Sequence, residues 1–375
     1  MKIPEEQMRI KLWLAACALS FCRMTFAQSS GTPVWNFAVS GDSRNCGDVV
    51  MPAIAEGVKR DQAEFYWHLG DYRAIYNFDE DYKQLHPTTN IASYEGQAWQ
   101  DFIDHQLMPF DVTVYLALGN HETIPPKTRS EALQVFADWW NAPSIRSQRL
   151  ADDPHNHTLQ TYYHWIKQPV DFITLDNSSD DMFDDDQVKW FEDELKRASA
   201  NGQIRSVVVG MHRALPDSFS TGHSMNDSAQ GTASGRRVYQ DLLNFRMNTQ
   251  KKVYVLASHS HFSMGNVYNT ACRRQHPETI LPGWIVGTAG AVRYQLPKDL
   301  QGAEEPQNDL YGYLLGRVSQ DGAIQFEFRP IEKQLNAIPE SVRKLFPDAF
   351  IQQCLEGNHS SSQPEGPPQP PRCPE

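Results

Sequence analysis

The sequence predicts an α/β fold built on parallel or mixed sheet, and three observations carry that expectation. From Gly31 onward, short apolar β-prone runs alternate with stretches of helical periodicity, which implies crossover units. Hydrophobic residues make up 40% of the 375 and aromatics 11%, enough for a sizeable core and too much for wholesale disorder. Run after run also ends abruptly in an acid, an amide or a histidine, and open α/β sheets bind ligands beyond the carboxyl ends of their strands.

In chain order, Met8 to Ala27 reads as a secretory signal, with a basic start, an apolar stretch from Leu12 to Phe21, and Thr25-Phe26-Ala27 before Gln28. Residues 1–27 are expected to be removed on export, with Met8 as initiator, because Glu5 and Glu6 spoil the basic region. No later run is long enough to span a bilayer. The cut takes four cations and two anions, moving the net charge from −12 to −14. That sign argues against nucleic acid or an anionic membrane surface as partner, and leaves small anionic substrates open if bound cations reverse the local field. Four cysteines remain, Cys46, Cys272, Cys354 and Cys373. Export permits disulfides, but the three possible pairings stay open, as does a free thiol at Cys46.

Strand 34–40 runs into Gly41-Asp42-Ser43-Arg44, helix 49–60 follows, and strand 65–69 runs into Gly70-Asp71. A polar and aromatic stretch, 72–109, precedes strand 112–118, which ends in Gly119-Asn120-His121-Glu122. Helical periodicity covers 131–140, and 141–160 reads as an excursion loop. Strand 172–175 enters Asp176-Asn177; 186–195 is an amphipathic helix whose start, Asp184-Asp185-Asp186, suits a helix N-terminus better than a cation site. Strand 206–209 ends in Gly210-Met211-His212, and 216–235, rich in Ser, Gly and Asp, is expected to be a mobile loop beside the site. After a helix at 238–245, strand 252–257 ends in Ser258-His259-Ser260-His261, and strand 284–286 enters Gly287-Thr288-Ala289-Gly290. The runs 311–318 and 324–330 form a hairpin about Asp321-Gly322. With no repeat and no second core, one domain over 31–335 is expected, then an extension, 336–375, with a Pro-rich, disordered tail that a Cys354–Cys373 bridge would tie down.

Asp42, Asp71, Asn120, His212, His259 and His261 all lie just past strand ends. Carboxylate, amide carbonyl and neutral imidazole are ligands that suit Zn, Mn or Fe, and a metal pair clamps the attacking and leaving oxygens of an in-line displacement at phosphorus. The lone histidines at 68, 86, 105, 155, 157, 164, 276 and 359 read as ordinary hydrogen-bonded residues; His223, in the loop after His212, is a candidate substrate contact.

With those residues in order, the sequence resembles the calcineurin-like metallophosphoesterases, which include the purple acid phosphatases, over roughly 34–290. The family pattern Asp-x-His, Gly-Asp-x-x-Asp or Tyr, Gly-Asn-His-Asp/Glu, a lone His and Gly-His-x-His falls on the five strand ends above. The resemblance implies a four-layer α/β/β/α sandwich with mixed sheets and a site at the strand C-terminal ends. It implies two divalent ions (Mn, Zn or Fe), the first on Asp42 and His261, the second on Asn120, His212 and His259, with Asp71 bridging. His121 would contact the phosphoryl group or protonate the leaving oxygen, and a metal-bridging hydroxide would attack in line.

Two positions depart from the pattern. Arg44 stands where many relatives have a histidine ligand, and a guanidinium has donors only. Ala74 stands where relatives have Asp or Tyr, and Tyr72 and Tyr76 are wrongly spaced to replace it. Arg44 is expected instead to bind a substrate phosphate oxygen, or else to pair with a site carboxylate. The expected function is that of a secreted or periplasmic phosphomonoesterase or phosphodiesterase acting on a small phosphorylated substrate. The alternative is a catalytically impaired metal- or phosphate-binding protein on the same fold.

Overall fold

The apolar runs become the strands of two mixed sheets that face each other. The computed structural model describes residues 33–179, 182–220 and 222–359, so the expected signal segment, Cys373 and the Pro-rich 363–375 lie outside the described residues. Chain order begins β1 (Pro33–Ser40), α1 (Gly47–Arg60), β2 (Ala63–His68), α2 (Glu80–Leu85), α3 (Ile91–Phe102), β3 (Thr113–Leu116), α4 (Arg129–Val135), α5 (Ala137–Trp140) and α6 (Pro143–Asp152). It continues with β4 (Tyr163–Lys167), β5 (Val170–Thr174), α7 (Asp185–Ala200), β6 (Ser206–Gly210), α8 (Ala229–Thr249), β7 (Lys252–Ala257), β8 (Ser263–Gly265) and β9 (Gly283–Val286). β10 (Glu304–Gln307), β11 (Gly312–Ser319), β12 (Ile324–Pro330), α9 (Glu340–Leu345) and α10 (Asp348–Gln352) follow.

The first sheet has the order β12-β11-β1-β2-β3 and the second β10-β8-β9-β7-β6-β5-β4. Their centres are parallel: β1, β2 and β3 in one, β5, β6, β7 and β9 in the other. Parallel strands covered on both faces read as continuous apolar runs, and Ser206-Val207-Val208-Val209-Gly210 is buried throughout. An aromatic seam joins the sheets, with Trp67 5.1 Å from Trp165, Phe65 5.2 Å from Phe172, and Tyr115 stacked at 3.9 Å on Trp165. A Cβ added at Gly210 would sit 2.3 Å from the Trp67 ring, so glycine is what lets the sheets close there. On the outer faces, α1 buries Val50, Ile54 and Val58, while Val188, Phe191 and Leu195 of α7 pack with Val207, Val209 and Val255. These are the four layers that the resemblance implies.

Several local expectations need correction. The stretch 141–160 contains α6, not loop alone; Pro143 opens it at a position where no N–H is needed. β4 follows, a strand the sequence hides because its residues do not alternate. The described part of 216–235 is not loop throughout. Residues 216–220 are buried, Asp217 receives both 2.9 Å and 3.0 Å bonds from Arg236, and α8 starts at Ala229 because Ser228 Oγ accepts the Gly231 N–H at 2.9 Å.

The domain also continues past 335. Val342, Phe350, Ile351, Cys354 and Leu355 join the main core, and Cys354 is bridged to Cys46, with Cα atoms 5.8 Å apart across 308 residues. Neither a free thiol at Cys46 nor a Cys354–Cys373 bridge is present. Closing so long a loop restricts the unfolded chain strongly. Cys354→Ser is expected to cost about 2–4 kcal/mol, read as a lower thermal midpoint; an unchanged midpoint would show that the bridge contributes nothing.

Candidate metal centre

Three site residues occupy the left-handed backbone region: Asp42 at φ 59°, Asp71 at φ 62° and His259 at φ 63°. Each conformation costs roughly 1–2 kcal/mol for a side chain other than glycine, so something must hold it. Asp42 Oδ2 accepts the His259 N–H at 2.7 Å and the Ser258 hydroxyl, tying the end of β1 to the end of β7. Asp71 Oδ1 accepts the His121 N–H at 3.0 Å, tying the end of β2 to the end of β3. Glu122 strengthens the second tie: Oε2 accepts from the N–H groups of Asp71 (2.9 Å) and Gly119 (2.7 Å), and Oε1 from that of Tyr72 (2.8 Å). A Cβ at Gly119 would lie 2.2 Å from Asp71 Oδ1, so the two loops meet only because that position is glycine.

The structure brings all six strand-end groups together. His212 Nε2 is 3.3 Å from Asp71 Oδ1, 3.1 Å from Asn120 Oδ1 and 3.0 Å from His259 Nδ1. Ligand atoms of Asp42, Asp71, His212 and His259 lie within 4.8 Å of one another, all buried. His261 Nε2 is 3.1 Å from Asp42 Oδ1. His121 stands beside them, with Nε2 3.7 Å from Asp71 Oδ2.

Lone pairs face lone pairs here, and that is the signature of a cation site. His212 Nδ1 donates to Leu69 O at 2.8 Å and His261 Nδ1 to Val292 O at 2.6 Å, so Nε2 is the nitrogen that each ring turns to the cluster, available to a cation once it carries no hydrogen. Asp42 Oδ1 and Asp71 Oδ2 are buried and accept no hydrogen bond. Without a cation the charges compete. Burial opposes an imidazolium at His212, but Asp71 overrides it and lifts the pKa to about 9. Burial lowers His259, and His212 lowers it further. Burial, only partly opposed by Asp71, brings His121 down to about 4, so its ring is neutral at pH 7. Burial and then Asp71 push Glu122 up to about 8 against the pull of its three amide donors.

Arg44 enters this cluster directly. Its Nη2 donates to His261 Nε2 at 3.2 Å and lies 3.4 Å from the Tyr294 hydroxyl, and its Nε is 3.8 Å from Asp71 Oδ2. The guanidinium therefore stands where Asp71 and His261 would share a first ion. The carboxylates of Asp42 and Asp71 outnumber the Arg44 guanidinium, so negative charge is in surplus for a cation to offset. Ala74 does other work: its carbonyl accepts from His121 Nδ1 at 2.7 Å and fixes that ring's tautomer. Tyr72 is turned away, its hydroxyl bonded to Ala117 O at 2.7 Å. His223 sits at the rim, 5.5 Å from His259 and stacked at 4.9 Å on Tyr294, whose own ring stacks at 3.9 Å on His261.

Sequence reasoning missed Glu122 as the tie between loops, Tyr294 as the ring against His261, and Tyr76, 55% exposed and stacked at 5.2 Å on His121. For Glu122 a signal existed, an acid directly after Asn-His; for the two tyrosines there was none.

Fold and site together define a metallophosphoesterase-type α/β sandwich with a cluster of candidate metal ligands at its strand ends. The profile of the family described as calcineurin-like phosphoesterase matches residues 37–263, and the chain belongs to that family. Among solved structures it is similar to the purple acid phosphatase PPD1 of yellow lupin (Lupinus luteus) seeds, at 15% identity and a TM-score of 0.54, over 80% of this chain and 52% of that one. The chain thus spans about half the length of that phosphatase. Further similarities are to PhoD (16% identity, TM-score 0.48, 80% and 69% covered) and to GAP50, the anchor in the inner membrane complex of Plasmodium (13%, 0.47, 84% and 95%). No curated protein sequence matches. Among the described residues no helix is long and apolar enough to cross a membrane.

Glu122→Gln sets an amide NH2 against backbone donors behind the cluster. It is expected to weaken Mn2+ binding at the centre about 10–100-fold, measured by calorimetric titration; unchanged affinity would show that the tie does not organise the ligands.

Proposed function

We propose that this chain is an exported hydrolase of small phosphoric esters whose centre holds one divalent ion on Asp71, Asn120, His212 and His259, with Asp42 in reach, while Arg44 supplies the second positive charge. The observation that carries this reading is the convergence of those buried lone pairs on one point, with a guanidinium against His261 beside it. An ion bound there would polarise phosphoryl oxygens and acidify water. Arg44 offers a planar fork of donors to the same oxygens, so its charge adds to the clamp on phosphate. His261, occupied by Arg44, positions the guanidinium.

His121 holds its proton on Nδ1 against Ala74 O, which leaves Nε2 as an acceptor facing the cluster. A neutral ring in that state accepts a hydrogen from attacking water rather than donating one to the leaving oxygen. His223 and Tyr294 form a ring wall at the rim suited to contact the rest of the substrate. Export is supported by the signal-like N-terminus and by the Cys46–Cys354 bridge, which belongs to oxidising compartments.

Hydrolysis of p-nitrophenyl phosphate is expected with Mn2+ or Zn2+ and is lost on chelation; metal bound without turnover favours the impaired binder. The pKa of His121 lies below its ordinary value, so the ring becomes an imidazolium only as pH falls through about 4. At saturating metal, kcat/KM is expected to fall across that range, and His121→Asn removes this limb together with about 10²–10⁴ of the rate. An unaltered profile in the variant excludes the acceptor role. In Arg44→His the guanidinium is replaced by a ligand of the family pattern, and calorimetry is expected to find an additional ion bound at the centre. Unchanged stoichiometry there would mean that Arg44 does not stand in for an ion.

A further inference from the structure

Beside β4, the edge strand of the second sheet, lies a cavity of about 210 Å3 whose lining includes Asp152, Tyr162, His164, Trp190 and Glu194. None of its lining residues belongs to the centre described above. Separate elements bring acids to a single imidazole: His164 on β4, Asp171 on β5, Asp152 at the end of α6 and Glu194 on α7. His164 Nδ1 is 2.8 Å from Asp171 Oδ1, and Nε2 is 2.7 Å from Asp152 Oδ2 and 3.1 Å from Glu194 Oε2.

A ring nitrogen carries at most one hydrogen, and at Nε2 the shorter contact, Asp152, takes it. Glu194 Oε2 is left without a hydrogen bond on a side chain that is 1% exposed, facing a donor already used. Burying a carboxylate oxygen in that state is unfavourable, and each such group requires an explanation. As at His212 Nε2 in the main centre, more than one acceptor atom crowds a single ring nitrogen. Charge points the same way. Among the described residues Arg197, on Glu194 Oε1, is the Lys or Arg in ion-pair contact with these three acids. Burial pushes the Glu194 carboxyl up to about 7 against the pull of His164, so the anionic form is poorly compensated here, and a divalent ion would offset it.

We propose that Asp152, His164 and Glu194 form a second divalent-cation site, for Zn2+ or Mn2+, with Asp171 behind His164 as the carboxylate that orients its ring and the cavity as its entry path. One imidazole with two carboxylates suits those ions, and a carboxylate–histidine–metal arrangement is the usual backing for such a ligand. The site pins α6 and β4 to α7, so its role is to fix the excursion between α5 and β5 rather than to turn over substrate. It stands independently of the phosphoesterase reading.

Metal-stripped protein is loaded with Zn2+, freed of excess by gel filtration, and its zinc counted per chain by plasma mass spectrometry. Wild type is expected to carry one ion more than Glu194→Gln or His164→Asn, while both variants keep their p-nitrophenyl phosphate hydrolysis. If the variants do not fold, 15N-labelled wild type decides: on addition of Zn2+, His164 Nε2 is expected to lose its hydrogen and take the shift of a metal-bound nitrogen. Equal zinc counts, or a His164 that keeps both hydrogens in excess Zn2+, would make the cluster a salt-bridge network and overturn the proposal. Absence of hydrolysis in wild type with the zinc difference intact would count against the catalytic reading alone.

Discussion

One buried carboxylate, Glu122, holds the loop after β2 to the loop after β3, and the main centre depends on it. Its two oxygens gather the N–H groups of Asp71, Tyr72 and Gly119, and so fix the backbone from which Asp71 and Asn120 reach the cluster. Asp42 does the same for the other half, binding the His259 N–H across the sheet edge. Each strained residue at positive φ is thus held by a carboxylate bonded to the backbone of the next strand end. The candidate ligands are thus tied to one another through backbone hydrogen bonds, the support that a preorganised site requires.

Arg44 gives the cluster its individual character. A guanidinium near His261 and Asp71 carries the charge that a first ion would carry, but it is permanent, covalently attached and capable only of donating. On the one-ion proposal, such a centre would trade an acidified water at that position for a fixed anion clamp. Ala74, where the family pattern has a ligand side chain, presents its carbonyl to His121 instead.

Most of the fold was legible because the parallel strands are short apolar runs with polar ends, a pattern that only a doubly covered sheet needs. The six cluster residues were legible for the same reason, since each follows a short, apolar parallel strand. Elements without that signature were not: β4 does not alternate, α8 begins in Ser and Gly chosen for capping and close packing, and α9 and α10 are short helices whose apolar residues make sense only against the main core. The placement of Arg44 was legible as an anomaly, but whether it faced substrate or a site residue depended on His261 and Tyr294 coming within reach, and no spacing in the sequence encodes that. The His164 cluster was hidden because its four acidic and imidazole groups come from four elements, two of which the sequence did not reveal.

The central claim is that the fold gathers buried lone pairs for one ion and completes the charge with an arginine. Anomalous diffraction from crystals grown with Mn2+ tests it most directly. The account predicts a single ion in the main centre, on Asp71, Asn120, His212 and His259, with Arg44 still against His261. Two ions there with Arg44 displaced, or a centre that stays without metal at saturating Mn2+, would contradict it.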